Sequence, residues 1–494
     1  MIIDAYSNDI PEEFDADICV FGAGAMGIAI AREFLGSQTR ILLVESGGEE
    51  YDDDTHLLDK MTISGLTPID DPEISRLRYL GGSTNHWGGW SRPFAKEVID
   101  KWPVDNDELA SFYPRIIDFL DLQHKSFERL DDWGETPEQE FISYGAGLKT
   151  RMRQIYPLRF WAEFGNEIAA SANITVIKNA NLFNFSYRND NSRVDRATLK
   201  TLRGRELRVK AKRYVMACGG LENPQILLNI DRLNNDEMTK KTPLIGKYYM
   251  DHYALQSEMV PLKCFSPNFA GRKQFAQYET AEDEETKYFF VRPGFYLDPT
   301  LPEYADLPQH NVTMGEFHAR CSFTKADEAD DLYGQMRKFG RNVELSTMHM
   351  FIESTPNEAS EISLTDQRNA LGHFVGDLNW QINSSDKEAV TFIAKNFERR
   401  MAENGVARMR ISRNIEEYGI LRPDGVILND RHHMGTTRMS VSSRDGVVDP
   451  NSKMHGMDNL YVAGTSVFPT YDWPGPTFTA LAMTFRLTDH LKTL

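Results

Sequence analysis

The sequence predicts an α/β domain on a parallel sheet, joined to an antiparallel-sheet domain of α+β character. Three observations predict this. Near the start, two short apolar runs flank a glycine-rich turn and a helix of small residues. Between residues 251 and 429 the pattern changes to alternation of apolar and polar residues. From residue 459 the first pattern returns. A chain that leaves a parallel sheet and comes back to it brings both ends of its sequence to one domain.

The opening unit is the most informative. Ile18, Cys19, Val20 and Phe21 form the continuous apolar run of a strand buried on both faces. Gly22-Ala23-Gly24-Ala25-Met26-Gly27 follows, a G-x-G-x-x-G turn, and then a helix carrying Ala29, Ala31, Ile28, Ile30 and Phe34. The next strand is Ile41–Val44, closed by Glu45. Gly22 suits the tight turn, Gly24 lets a pyrophosphate approach the backbone, and Gly27 lets helix and strand pack closely. The helix start at Ala25 and Met26 offers free N–H groups and a positive dipole end to phosphates. Glu45, about 20 residues on, suits ribose hydroxyls. Strand, turn, helix and acid together read as a Rossmann-like dinucleotide site. They do not separate FAD from NAD.

Composition bounds the rest. A chain of 494 residues with 41% hydrophobic and 11% aromatic residues supports two large packed domains. A net charge of −18 argues against nucleic acid or an anionic membrane as partner. Cys19, Cys218, Cys264 and Cys321 contain no C-x-x-C pair, which fits reduced core cysteines in a cytoplasmic protein and no zinc or other metal site. Residues 1–14 are acidic and lack the basic and apolar regions of a signal peptide. No run reaches the ~18 apolar residues of a spanning helix, so no membrane anchor is expected.

Further along, residues 49–54 read as a solvated acidic turn and 56–78 as a long excursion of the kind that serves as a lid. Residues 80–93 are rich in Gly, Trp, His and Asn, which suits a loop pressed against a flat ligand. Helices are expected over 108–120, broken by Pro114, and over 163–170; strands over 174–177 and 182–187. Residues 208–217 form another buried strand arriving at Cys218-Gly219-Gly220, followed by a helix over 224–230. In the middle region 361–365 and 377–382 read as half-buried antiparallel strands, 388–404 as a helix and 279–285 as an exposed acidic loop. The strand 459–463 then runs into Gly464, and 478–491 is an amphipathic helix. This organisation assigns residues 1–100, 161–250 and 431–494 to the nucleotide-binding domain, 101–160 to a substrate-side excursion and 251–430 to the second domain.

Six stretches in this order resemble the glucose–methanol–choline (GMC) oxidoreductases, FAD enzymes that oxidise alcohols and sugars. They are residues 22–27 with Glu45, 81–93, 217–223, 246–252, 432–439 and 459–481. The resemblance implies an FAD-binding domain with a substrate domain over the flavin. It implies cofactor contacts at Gly82, Ser83, Asn85 and His86, at Leu182 and Cys218, and at Gly464, Thr465, Pro476 and Thr477. His86-Trp87 also falls on the His-Trp of the pyranose oxidases, whose histidine is bonded covalently to flavin. Thr84-Asn85 departs from their Ser-Thr, so His86 either carries that link, or only contacts the flavin or hydrogen-bonds within the loop.

The family's His-x-x-Gly-Thr pattern places the catalytic base at His432, with His433 beside it. A neutral histidine suits proton removal from an alcohol, its ordinary pKa being about 6.5. The family's second residue, His or Asn, falls on Gly475, which has no side chain. Tyr471, Asp472 or His433 replaces it, or substrate or water fills the gap, or the chemistry is not ordinary alcohol oxidation. The expected partners are a small alcohol, sugar or glycoside and a separate electron acceptor: oxygen, a quinone or another protein. A lyase-like flavoprotein and a non-enzymatic flavin-binding protein are the alternatives.

Overall fold

The computed structural model describes residues 1–69, 71–128, 132, 148–188, 191–261, 290–297, 314–318, 346–352, 354–403, 407–410 and 426–494. Cys264, Cys321 and the acidic run at 279–285 lie outside the described residues.

Glu13–Phe21 is central to the largest sheet because its last four residues are apolar on both faces and are all buried. On one side it is followed by Ile41–Val44, Ile174–Lys178 and Ile2–Asp4, all parallel. On the other side lies Glu206–Met216, also parallel. That strand alternates exposed and buried residues at first, then turns continuously buried at Tyr214–Met216. The change marks where its outer edge changes partner. Its first half carries an antiparallel strand, Val194–Lys200, which pairs onward with Asn181–Tyr187. Its last three residues carry the late strand Leu460–Val462 in parallel. The helices Ala25–Glu33 and Thr477–Lys492 pack together, and the Thr484 hydroxyl donates to Met26 Sδ at 3.0 Å. Early and late sequence therefore share one sheet and one helical layer.

The second sheet has seven strands in the order Ala407–Arg410, Tyr253–Pro261, Ser346–Ile352, Met314–His318, Phe290–Leu297, Leu148–Ile155 and Trp90–Ser91, all antiparallel. It draws Trp90–Ser91 and Leu148–Ile155 from outside the alternating region. Glu361–Arg368 and Phe374–Asn379 are antiparallel as expected, but they form a separate small sheet with Met61–Ile63. The second of these strands ends before residue 382 because Trp380 turns into the core, edge-on to Tyr249 at 5.8 Å.

Other boundaries moved for local reasons. The helix expected over 108–120 is two, Asn106–Ala110 and Tyr113–Phe119. Asp105 caps the first, accepting the Glu108 N–H at 2.8 Å. Pro114 sits in the first turn of the second, where its missing N–H costs no hydrogen bond. The helix expected from 224 begins at Gly219 and runs to Leu233. Among the described residues no helix is long and apolar enough to cross a membrane.

Candidate active site

Both ends of the sequence line one cavity of about 640 Å³, inside the roughly 300–1,000 Å³ range of small-molecule sites. Its wall includes the glycine turn, Glu45, Gly82–Thr84 and His86–Trp90, Leu182, Cys218–Gly220, His432, His433, Thr465 and Gly475–Thr477.

The three glycines of the turn are needed for three different reasons. Gly22 has φ +97°, and a methyl group on it would lie 2.6 Å from the Ala217 carbonyl oxygen. On Gly27 a methyl group would sit 1.8 Å from the Gly22 carbonyl oxygen. These two glycines hold protein against protein. At Gly24 the nearest atom to such a methyl is Gly82 Cα at 4.0 Å, and the open side is the cavity. Glu45 is 5% exposed and braces the turn: Oε2 accepts the Ala23 N–H at 2.8 Å and Oε1 the Gly47 N–H at 3.0 Å. Burial pushes its carboxyl up, against the pull of those donors.

The glycine-rich loop opens with Gly81 and Gly82, both at positive φ, which lets it press against Gly24. Ser83 and His86 face the cavity. Burial, then Arg431 and Arg159, lowers the His86 pKa. Asn85 does not line the cavity; its amide folds back and donates to the Leu80 carbonyl at 3.0 Å. Gly27 and Gly464 are likewise behind the lining, the latter at φ +100° beside Met26.

His432 is set by a pairing that sequence reading missed. Met250 and Met434 form an antiparallel bridge. Two residues out along each strand, the rings of His252 and His432 meet nearly at right angles, their Nδ1 atoms 2.8 Å apart. His252 Nε2 donates to the Asp472 carbonyl oxygen at 2.6 Å. Asp430 Oδ2 lies 3.2 Å from His432 Nδ1. Asp251 Oδ1 accepts the His432 backbone N–H at 2.7 Å, and its Oδ2 accepts from Asn429 at 3.0 Å. Burial pushes the Asp251 carboxyl up to about 7 in spite of these donors. Burial, with Arg153 adding to it, drives the His432 pKa down to about 3, so the ring is neutral at ordinary pH. The only sequence signal for this support was the 246–252 stretch, which carried no assigned role.

His433 turns the other way. Its Nε2 lies 3.4 Å from Ser75 Oγ, and burial followed by Arg76 brings its pKa to about 3. Its backbone packs so tightly that a methyl group on Gly220 would meet the His433 oxygen at 2.1 Å. Behind it, Asp59, Arg76 and Arg78, from the stretch read as a lid, form an ion-paired part of the wall. Arg76 and Arg78 each reach Glu222 at 2.7 Å, and Arg78 reaches Asp59 at 2.8 Å. Burial alone would raise the Asp59 pKa; Arg76 and Arg78 pull it to about 2.

Tyr471 and Asp472 do not stand in for the side chain that Gly475 lacks. The Tyr471 hydroxyl donates to the Asp251 carbonyl at 3.1 Å and meets the Ser354 N–H at 2.6 Å. Asp472 accepts from the Ala95 and Trp473 backbone N–H groups at 2.6 and 2.8 Å. Neither lines the cavity. Gly475 does: a methyl group there would lie 3.7 Å from His432 Nε2 and 3.3 Å from the Trp90 carbonyl oxygen.

A family model described as GMC oxidoreductase matches residues 356–484, the segment that carries His432 and Gly475. The chain is 38% identical to pyranose 2-oxidase of Tricholoma matsutake over 56 residues, 11% of the chain and 10% of that protein. That match spans only about a tenth of the relative's length. Two solved structures share its fold. One is an R554K variant of the formate oxidase of Aspergillus oryzae RIB40, at 14% identity and TM-score 0.63, covering 98% of this chain and 99% of that one. The other is pyridoxine 4-oxidase from Mesorbium loti, at 15% identity and TM-score 0.63, covering 97% and 99%.

The residues present fit FAD, the cofactor of GMC enzymes. The cavity continues from the gap at Gly24 and the start of the helix Ala25–Glu33 to Pro476, Thr477 and His432, room for a dinucleotide rather than a lone ring. Glu45, Leu182 and His86 all line it.

Proposed function

We propose that this chain is an FAD-dependent oxidoreductase that oxidises a CH–OH group of a sugar, glycoside or cyclic polyol, with His432 as the base. The observation that carries this reading is the placement of His432. Its Nε2 borders the open space at Gly475, while Nδ1 is held from behind. Bound FAD supplies the two-electron acceptor for the hydride leaving the substrate carbon. His432 Nε2 takes the hydroxyl proton; the neutral ring is ready for it because burial keeps it unprotonated. Asp430, 3.2 Å from Nδ1, stabilises the imidazolium that results. Trp90 and Trp473 line the same cavity.

The sugar class rests on the similarity to pyranose 2-oxidase, and the room at Gly475 suits a ring. A non-sugar alcohol is the second reading, favoured by the same open space. Gly24, Ala25, Met26, Glu45, Leu182, Cys218, Thr465, Pro476 and Thr477 hold the cofactor, with Ser83 and His86 beside them. A separate acceptor, with oxygen the first to test, takes the electrons away. The test is anaerobic mixing of the purified yellow protein with a panel of sugars, glycosides and simple alcohols. At least one should bleach the flavin, and His432→Ala should lose that bleaching. An unchanged rate in His432→Ala would exclude the proposed base.

A further inference from the structure

A base must present a lone pair, and a neutral imidazole has one lone pair and one N–H. The hydrogen bonds behind His432 decide which nitrogen has which. The Asp472 backbone carbonyl can only accept. His252 Nε2 lies 2.6 Å from it, so that nitrogen carries a proton. His252 is 0% exposed, and burial followed by the neighbouring His432 lowers its pKa well below the ordinary value, so it carries no second proton. Its Nδ1 is therefore a lone pair. His432 Nδ1 is 2.8 Å away and must donate to it. The Asp430 carboxylate, 3.2 Å from the same nitrogen, is also an acceptor and adds to the preference. His432 then carries its one proton on Nδ1, and Nε2, the nitrogen beside Gly475, is bare.

We propose that His252 is a positioning residue that fixes the tautomer of His432, holding the proton on Nδ1 so that Nε2 is free to take the proton of the substrate. The proposal rests on the alcohol-oxidation reading for its chemical purpose, but not for its geometry. The two residues are 180 positions apart and are made cross-strand neighbours by the bridge between Met250 and Met434. In the reaction the substrate O–H bond breaks and an N–H bond forms on Nε2. With FAD bound, the electron pair of the substrate C–H bond would leave as hydride to that acceptor, and the carbonyl product would remain. A His432 ring with its proton on Nε2 would have no lone pair there to begin that step. In the serine-protease template, a wrong tautomer costs about 10⁴-fold. Here Asp430 still favours the productive form, so the expected loss is smaller.

The test has two arms. The first needs no substrate: long-range ¹H–¹⁵N spectra of the histidine-labelled holoprotein, with His432 assigned by His432→Gln. The expected spectrum shows a protonated Nδ1 and a bare Nε2 for His432, and the reverse for His252. His432 with its proton on Nε2 would overturn the proposal. The second arm is the rate of anaerobic flavin reduction in His252→Leu and His252→Asn. Leucine removes the acceptor and should slow reduction about 10- to 100-fold, within the range of general-base contributions, with substrate affinity little changed. Asparagine keeps an acceptor near the δ position and should recover most of that loss. A leucine variant that retains FAD and reduces it at the wild-type rate would overturn the proposal. If the leucine variant does not retain FAD, the wild-type spectrum alone decides. If no alcohol bleaches the wild-type flavin, the oxidation reading fails while the spectrum still judges the tautomer.

Discussion

Alanine at Gly24 separates a glycine kept for its ligand from glycines kept for the fold. The backbone there, at φ −81° and ψ −164°, is open to any L-residue. The added methyl would have no protein atom nearer than Gly82 Cα at 4.0 Å, an ordinary contact. The flavin-free protein should therefore keep its stability, or gain about 0.4–1 kcal/mol from a less flexible unfolded chain. Gly27→Ala differs sharply, because its methyl would lie 1.8 Å from the Gly22 carbonyl oxygen. Backbone cannot yield as a side chain does, so the cost should reach or pass the ~1–3 kcal/mol of ordinary overpacking. With FAD the order changes. The Gly24 methyl enters the cavity where the pyrophosphate needs the backbone, and a clash of ~1–3 kcal/mol weakens binding about 5- to 150-fold. The assay is the flavin-to-protein absorbance ratio after purification, a titration of flavin-free protein with FAD, and the melting temperature of each flavin-free form. FAD affinity equal to wild type in Gly24→Ala, or a flavin-free melting temperature as low as that of Gly27→Ala, would refute the reasoning.

Other outcomes follow from the same geometry. With the His432 pKa near 3 in the folded protein and about 6.5 unfolded, the unfolded chain binds more protons below pH 6.5. The site's contribution to stability is thus present above that pH and lost as pH falls from about 6.5 towards 3. For the same reason the His432 imidazole should show no titration near pH 6.5 in ¹H–¹⁵N spectra; a histidine signal titrating there that is absent from His432→Gln would contradict the burial argument. Asp251→Ala should leave the His432 and Asn429 N–H groups without their acceptor, costing about 1–3 kcal/mol, and slow flavin reduction by shifting the loop that carries the base. Unchanged melting and reduction rates would contradict that support. Gly475→Asn should fit after a few tenths of an ångström of movement at the Trp90 carbonyl and narrow the site towards smaller alcohols; unchanged preference across the panel would show that this space is not used by substrate. Denaturation tests His86: colour that stays with the polypeptide and is lost in His86→Ala shows a covalent link, and colour released to the supernatant excludes one.

What was legible in the sequence was local. The glycine turn, Glu45 and the helix behind them lie within 29 residues, and each residue type answers to a neighbour a few positions away. The return of the chain was legible too, because Leu460–Val462 repeats the apolar run of a doubly covered strand. A motif singled out His432, but gave no sign of what holds it. His252 comes from 180 residues earlier, and only the register of an antiparallel bridge brings the two rings together. The wall of Asp59, Arg76, Arg78 and Glu222 was hidden for the same reason: its charges look like surface until distant segments bury them in pairs. Tyr471 and Asp472 misled because nearness to Gly475 in sequence says nothing of side-chain direction. Both turn away from the cavity, one to the Asp251 carbonyl and one to backbone N–H groups. Asn85 shows the same point in a tight turn, where its amide serves the turn itself.

The account stands most directly on a crystal structure of the holoprotein with its flavin. It predicts FAD with its pyrophosphate against Gly24 and the start of the helix Ala25–Glu33, and the His432 imidazole facing the isoalloxazine across the space beside Gly475. A nicotinamide cofactor in that cavity, or a flavin ring placed away from His432, would contradict it.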